Sequence, residues 1–442
     1  MKGRHHHCIG SLILCASVLI TISGCDTESN TENPDLSYFI KYYGGDGNQY
    51  GVDMLSLDDG SFLLLGQYAE TDFNRDVYLL RVNAEGSVIW ENRIGENEPG
   101  VWSPKDIEPT NDGNFIVLSD FRKDLDNPRD SSDIRLLKIS ADGALLKTLS
   151  LGTPAHDYGR TVTPLSDGSF IVSGTTEFTS TFPLANNTDP DLGDVFNYRV
   201  TENIELDTEW SPVIVGFGAH MDVAVKTIET PTGFYVYGHT NSTLTGGLNP
   251  NRKLGLFYFG RQTSGTKALT NYPGNVQPLN NTEINFVQAV SPALGSGVLV
   301  VGTSQDNVGK SGIFVARMRS TLTFEPNNVA NDATFYDIVH LGNNINLRGV
   351  AAATSLFGEQ GFLILGNEVR GTGALNFWLS KIDQSGKLIW STTFGSEAKD
   401  DTAGAVLELP DGKIVILATM GLADNQFKMA FVKVNGQGQF LK

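Results

Sequence analysis

The residues of this chain that could do chemistry fall into three groups: a cysteine closing an apolar leader, two loops dense in carboxylates, and a few scattered histidines. Cys25 ends the run Ile22-Ser23-Gly24-Cys25, and with Cys8 and Cys15 it completes the cysteine inventory of a 442-residue sequence. No thiol therefore remains downstream for a disulfide, a nucleophile or a cysteine-ligated zinc. Asp124, Asp126, Asp130 and Asp133 lie in DLDNPRDSSD, and Asp189, Asp191 and Asp194 in DPDLGD, just after Asn186 and Asn187. Calcium takes about six to eight oxygens from closely spaced Asp, Asn and backbone carbonyls. Asp189, Asp191 and Asp194 are accordingly the expected metal ligands, with calcium the one cofactor suggested. Neither loop carries the glycine and closing glutamate of an EF-hand.

Catalytic constellations are otherwise missing. His156, His220, His239 and His340 are widely spaced, and no His-Glu-x-x-His, Gly-x-Ser-x-Gly or phosphate-binding loop is present. The expectation is a protein that is not an enzyme. Trp102, within Gly100-Val101-Trp102-Ser103-Pro104, is the aromatic candidate for stacking on a sugar or peptide.

The elements that would position these residues repeat. DDGSFLLLG (58–66) returns as NDGNFIVLS, SDGSFIVSG, PTGFYVYG, GSGVLVVG, EQGFLILG and PDGKIVILA, with turn glycines at Gly60, Gly113, Gly168, Gly233, Gly297, Gly361 and Gly412. The best copies read as four strands. In the first, 51–57 leads through an Asp-Gly turn to 62–66, then 76–83, a Glu-Gly turn, and 88–95. Such turns are hairpin signals, because glycine enters positive φ without the cost of a Cβ. Strands like FLLLG are apolar at successive positions, so both faces must be covered. No amphipathic helix separates them, and neighbouring sheets arranged radially would do the covering.

The expected fold is thus all-β: a seven-bladed β-propeller with four-stranded blades. LSYFIKYYGG (36–45) aligns with the fourth-strand sequences VIWENRIG and LIWSTTFG, placing Phe39 at the position of Trp90 and Trp390. The N-terminal strand is expected to complete the last blade, which removes two exposed edges.

The leader and charge set the address. Residues 1–24 combine Lys2 and Arg4 with the apolar run 9–22, and 25–35 form a polar, acidic tether, leaving 36–442 as one propeller domain. His5, His6 and His7 belong to the leader and are not a metal site. The chain has 50 Asp+Glu against 32 Lys+Arg, a net charge of −18. An acidic surface argues against nucleic acid as a partner.

Ile22-Ser23-Gly24-Cys25 resembles the lipobox of bacterial lipoproteins. The resemblance implies a signal peptide, lipidation of Cys25 and a membrane anchor in a Gram-negative envelope, with the outer membrane or cell surface favoured over the inner membrane. The repeats resemble those of bacterial envelope propellers, with Asp-Gly-aromatic-aliphatic, Asp-x-Tyr/Phe-Leu-x-Lys/Arg and Gly-x-x-x-Trp segments. Gln384 to Trp390 also resembles the tryptophan-docking repeats of quinoprotein propellers, although Lys147 and Leu269 replace the tryptophan elsewhere.

A recurring cation, at Arg81, Lys138, Arg199, Arg317, Lys381 and Lys433, is expected to be structural, pairing with an acid of the neighbouring blade or lying along its edge. The expected function is a monomeric binding or scaffolding module for a protein or glycan, with binding on the long loops 120–132, 175–193, 239–252 and 275–283. The alternative is an envelope hydrolase or quinoprotein-like enzyme, with carboxylates converging at the channel mouth.

Overall fold

Every described element of the computed structural model is a β-strand. The structure describes residues 38–96, 98–127, 130–177, 193–210, 213–215, 221–230, 233–242, 248–260, 283–292, 298–305, 311–318, 347–371, 373–396, 398–422 and 426–440. Contacts divide the chain into two units, Met1–Pro34 and Asp35–Lys442. All described residues lie in the second.

β1 (Phe39–Tyr43) belongs to the last sheet. Sheet one is β2 (Asn48–Ser56), β3 (Phe62–Ala69), β4 (Arg75–Val82) and β5 (Val88–Ile94). Sheet two is β6 (Val101–Pro109), β7 (Phe115–Arg122), β8 (Asp133–Ile139) and β9 (Leu145–Leu151), and a single parallel pairing of Arg75 with Val101 joins it to sheet one. Sheet three is β10 (Asp157–Pro164), β11 (Phe170–Thr176), β12 (Asp194–Val200) and the short β13 (Val213–Val215). Sheets four and five have three described strands each: β14 (Asp222–Thr230), β15 (Gly233–Ser242) and β16 (Leu248–Gly260), then β17 (Glu283–Pro292), β18 (Val298–Gln305) and β19 (Ser311–Met318). Sheet six is β20 (Leu347–Ser355), β21 (Gly361–Val369), β22 (Leu375–Asp383) and β23 (Leu388–Phe394). Sheet seven is β24 (Asp401–Glu408), β25 (Ile414–Gly421) and β26 (Phe427–Val434), with β1 paired antiparallel to β26 from Phe39 opposite Lys433 to Tyr43 opposite Met429.

The continuous apolar runs explain how the sheets associate. Successive side chains of a strand point to opposite faces. Phe62 and Leu64 enter a core shared with Val415, Leu417 and Phe431 of sheet seven, while Leu63 and Leu65 enter one shared with Ile107, Val117 and Leu137 of sheet two. Further shared cores join sheets two and three, three and four, five and six, and six and seven. Each such buried Val, Leu, Ile or Phe contributes about 1.5–3 kcal/mol. The first strands also touch in succession, β2 with β6, β6 with β10, β10 with β14 and onward to β24, which lies against β2. Covering sheets with sheets in this propeller-like manner needs no helix.

The outer strands lock each sheet to the next through its turn. Trp90 of β5 donates from Nε1 to the Ala141 carbonyl at 3.3 Å, and its ring lies where a Cβ on Gly143 (φ +91°) would come within 2.8 Å. Trp390 meets Gly438 at the same 2.8 Å, and Phe39 of β1 lies against Gly86. Lys147, which stands at the tryptophan position in sheet two, instead donates to the Asn203 carbonyl at 2.8 Å. The matching turn of sheet three carries Ile204 at φ 56°, where the others use glycine. Its side chain is fully buried in the core between sheets two and three, and that burial offsets the cost of about 1–3 kcal/mol for the strained backbone.

Three local expectations need correction. In sheet six the positive-φ turn glycine is Gly358 (φ 70°), and Gly361 is the first residue of β21, because that turn is displaced toward β20. The loop expected over 239–252 is largely strand, since β15 and β16 extend their pairing to Ser242 opposite Leu248. Three of the recurring cations bind acids of their own sheet, not of the neighbour: Arg81 meets Asp59 at 2.8 Å, Lys138 meets Asp112 at 2.6 Å and Arg199 meets Asp167 at 2.6 Å. Their reach to the neighbour is to a carbonyl, as when Arg81 donates to Ala141 at 3.1 Å and Lys433 to Ala84 at 3.0 Å.

Candidate functional site

Six of the first strands carry a single β-bulge at a matching position, and β17 shifts register twice. The register shifts past Val52 in β2, Lys105 in β6, Arg160 in β10, Val225 in β14, Val350 in β20 and Gly404 in β24. A bulge re-aims the residues beside it. The next positions are Asp53, Asp106, Thr161, Lys226, Ala351 and Ala405. One arc of first strands therefore carries charge, while the sheet six and seven arc carries small apolar residues.

Three of those charges converge. Lys226 of sheet four places its ammonium 3.1 Å from Glu108 Oε1 and 3.5 Å from Asp106 Oδ2, both in sheet two. Asp53 of sheet one lies within hydrogen-bonding reach of Asp106. The backbone also holds these carboxylates: Met54 and Ile107 donate to Asp53 at 2.8 and 3.3 Å, and Val162 donates to Asp106 at 2.9 Å. Each aspartate thus bridges its own first strand to that of the next sheet. Glu108 and Lys226 retain side-chain exposures of 24% and 31%, so they meet solvent from within the inner strands.

Burial and mutual charge set the protonation of this cluster. Burial pushes the Asp53 carboxyl well above the usual carboxylate range, and the negative charge of Asp106 pushes it further. Glu108 is raised to about 6, mainly by burial, against the downward pull of Lys226. Burial disfavours the charged form of Lys226, but Asp106, Glu108 and Asp53 more than offset this and raise its pKa. The result is two carboxyls with raised proton affinity beside a fixed cation. Shifted groups brought together in this way make the cluster a candidate functional site.

A second ring supports the first. Asp120, near the end of β7, accepts from the Gly159 backbone at 2.6 Å and pairs with Lys105 at 3.2 Å. The equivalent residue in other sheets likewise reaches the next first strand. Asn367 accepts from Ala403 at 2.8 Å, Thr175 from Ala224 at 3.4 Å and Thr419 from Gly51 at 2.9 Å, while Gln67 donates to the Trp102 carbonyl at 2.5 Å. Four residue types fill one role in five sheets, so no single repeated letter announces it.

Trp102 is not an exposed platform. It is 2% exposed, packs against Phe121 with tilted rings 4.7 Å apart and donates to the Glu98 carbonyl at 3.3 Å. An indole at this register faces the core between sheets one and two, which removes it from any rim.

Asp189 and Asp191 lie outside the described residues. Asp194 is 2% exposed and opens β12 in the position that Asp76 and Asp133 hold in their own sheets, so it occupies a repeated position. No group of three or more His, Cys, Asp or Glu suited to a metal occurs among the described residues. Asp124 and Asp130 fold their loop on itself, with Asp130 accepting from the Asp124 backbone at 2.6 Å. Cys25 also lies outside the described residues.

No protein-family model matches the chain, and no curated protein matches its sequence. Solved structures similar to it include an α-L-arabinanase of Penicillium chrysogenum, at 10% identity and TM-score 0.44 over 76% of this chain and 93% of that one. A protein from Dyadobacter fermentans is similar at 10% identity and TM-score 0.45, over 90% and 97%. A Hadza microbial sialidase is similar at 11% identity and TM-score 0.44, over 83% and 74%.

Proposed function

We propose that this chain is a seven-bladed β-propeller lipoprotein of the Gram-negative envelope, anchored through Cys25 at the outer membrane or cell surface, that binds a glycan or protein segment at its axial charge cluster. The sequential contact of first strands and the pairing of β1 with β26 support a closed ring of four-stranded blades. The meeting of Asp53, Asp106, Glu108 and Lys226 from three sheets carries the binding reading. Donors and acceptors fixed in that way fit the hydroxyls of a sugar or the backbone of a peptide. Lys226 is the donor and Glu108 the acceptor at its centre.

A second reading, an envelope hydrolase, is favoured by one observation: Asp53 and Glu108, two carboxyls whose proton affinity is raised, share one cluster. Paired carboxyls can supply an acid and a base, the pairing used in glycoside cleavage. One experiment separates the readings. The domain and its Glu108→Gln variant are screened against a glycan array and the same glycans are analysed for cleavage. Binding without cleavage, lost in the variant, supports the module. Cleavage lost in a variant that still binds supports the hydrolase, and equal retention of binding and product formation by both proteins overturns the cluster as the site.

A further inference from the structure

The two ends of the sheets differ in their exposed apolar side chains. Strands β3, β5 and their counterparts begin at tight turns, and the opposite ends carry the longer loops. Among the described residues, thirteen large hydrophobics are exposed, and nine lie at the turn end: Val88, Ile89, Leu145, Leu146, Leu356, Phe357, Leu388, Ile389 and Phe440. Three pairs are the same residues of the repeat, the first two positions of the outer strands of sheets one, two and six. With Leu356 and Phe357 in the turn between β20 and β21, they are 37–60% exposed.

Their arrangement has a centre. Sheet six packs on seven, seven on one and one on two. The apolar pairs therefore flank sheet seven on both sides. Sheet seven is where β1 enters, and Phe39 stands opposite Lys433, at the turn end of β26. The chain arriving from Cys25 thus joins the domain at the turn end, in the middle of the arc. The segment from Cys25 to Phe39 spans at most about 50 Å fully extended, and about 20 Å as a coil. A lipid on Cys25 would hold this edge, and not the loop end, next to the bilayer.

We propose that the turn-end arc of sheets six, seven, one and two rests on the membrane surface, with Ile89, Leu146, Ile389 and Phe357 dipping into the headgroup boundary, so that the loop end faces away. This rests on the reading that Cys25 is lipidated. The exposed acids Asp58, Glu85 and Asp142 of the turns repel anionic headgroups, so the surface suited to this edge is zwitterionic. The apolar contacts orient the domain, and the acyl chains retain it.

The test uses the full chain matured in a bacterial host and reconstituted into phosphatidylcholine–phosphatidylethanolamine vesicles carrying a lipid-phase quencher. Single variants Ile89→Cys, Leu146→Cys and Ile389→Cys are labelled with an environment-sensitive dye, and Phe73→Cys, in the loop between β3 and β4 and 59% exposed, is the loop-end control. Mass spectrometry of the amino-terminal peptide reads acylation independently. The expected result is quenching at least threefold stronger at each turn-end site than at Phe73→Cys, falling as phosphatidylglycerol is added. Acylated protein with equal quenching at both ends, or stronger quenching at Phe73→Cys, overturns the orientation alone. Protein without the acyl mass overturns the lipidation reading and the proposal with it.

Discussion

Replacing Lys226 by methionine removes the one cation from a cluster holding Asp53, Asp106 and Glu108, while keeping most of the side-chain volume. Deleting one partner of a buried ion pair costs about 3–5 kcal/mol, because the remaining charge is left without compensation. Spread over about 2.1 cal/mol/K of unfolding entropy per residue in a domain of this size, that lowers the melting temperature by about 4–6 °C. The pH dependence carries the sharper prediction. Glu108 is raised in the folded state from 4.5 to about 6, so the fold binds its proton before the unfolded chain does. The stability linked to this proton is complete below the unfolded value and is lost as pH rises through the window up to about 6, some 2 kcal/mol in all. Without Lys226 to favour the carboxylate, Glu108 titrates higher and the window widens upward. Lys226→Met should therefore be most damaged at pH 8 and partly restored at pH 5, and Glu108→Gln added to it should recover stability at pH 8. Thermal unfolding of the four proteins of this double-mutant cycle at both pH values measures it. A deficit under about 1 kcal/mol, or one equal at pH 5 and pH 8, would refute the argument by showing that the ammonium is fully solvated.

Further outcomes follow from other contacts. Trp102→Ala should cost about 3–5 kcal/mol in denaturant unfolding, as for other buried aromatics, and leave glycan or peptide affinity unchanged; a weakened affinity with intact stability would restore the indole as a ligand contact. Gly143→Val should destabilise more than Gly60→Val, because both glycines have positive φ but only Gly143 has an indole against it, and the common backbone cost is about 1–3 kcal/mol. Equal losses would mean that the tryptophan contact adds nothing. Calcium titration of the domain, followed by melting temperature, should leave it unmoved if Asp194 serves the repeat, whereas a saturable rise abolished by Asp189→Asn and Asp191→Asn would return calcium to that loop.

Much of the architecture was legible because burial writes itself into residue type. FLLLG had to be covered on both faces, and Leu63 and Leu64 do enter different cores. The likeness of LSYFIKYYGG to the outer strands anticipated β1, since Phe39 takes the place of Trp90. The axial cluster was not legible for a geometric reason. Asp53, Asp106 and Lys226 occupy one level only because their three first strands bulge at the same place, and neither bulge nor level has a letter of its own. The ring of Gln67, Asp120, Thr175, Asn367 and Thr419 was hidden in the opposite way, because any short polar side chain can bond to a backbone group one strand away. Trp102 misled because an aromatic between two strands reads as a loop residue until register shows which side it faces.

The pairing of Phe39 with Lys433 makes synthesis and assembly run out of step. β1 is made before any other strand of the domain, yet its partner β26 is made last, so the earliest strand waits unpaired until nearly the whole domain has been produced. Sequence-distant pairings of this sort close slowly and leave an open edge meanwhile. A truncated product lacking β26 would keep that edge permanently, together with the uncovered face of Phe62 and Leu64. Incomplete copies of this protein should therefore be marked for degradation by the same strand that secures complete ones.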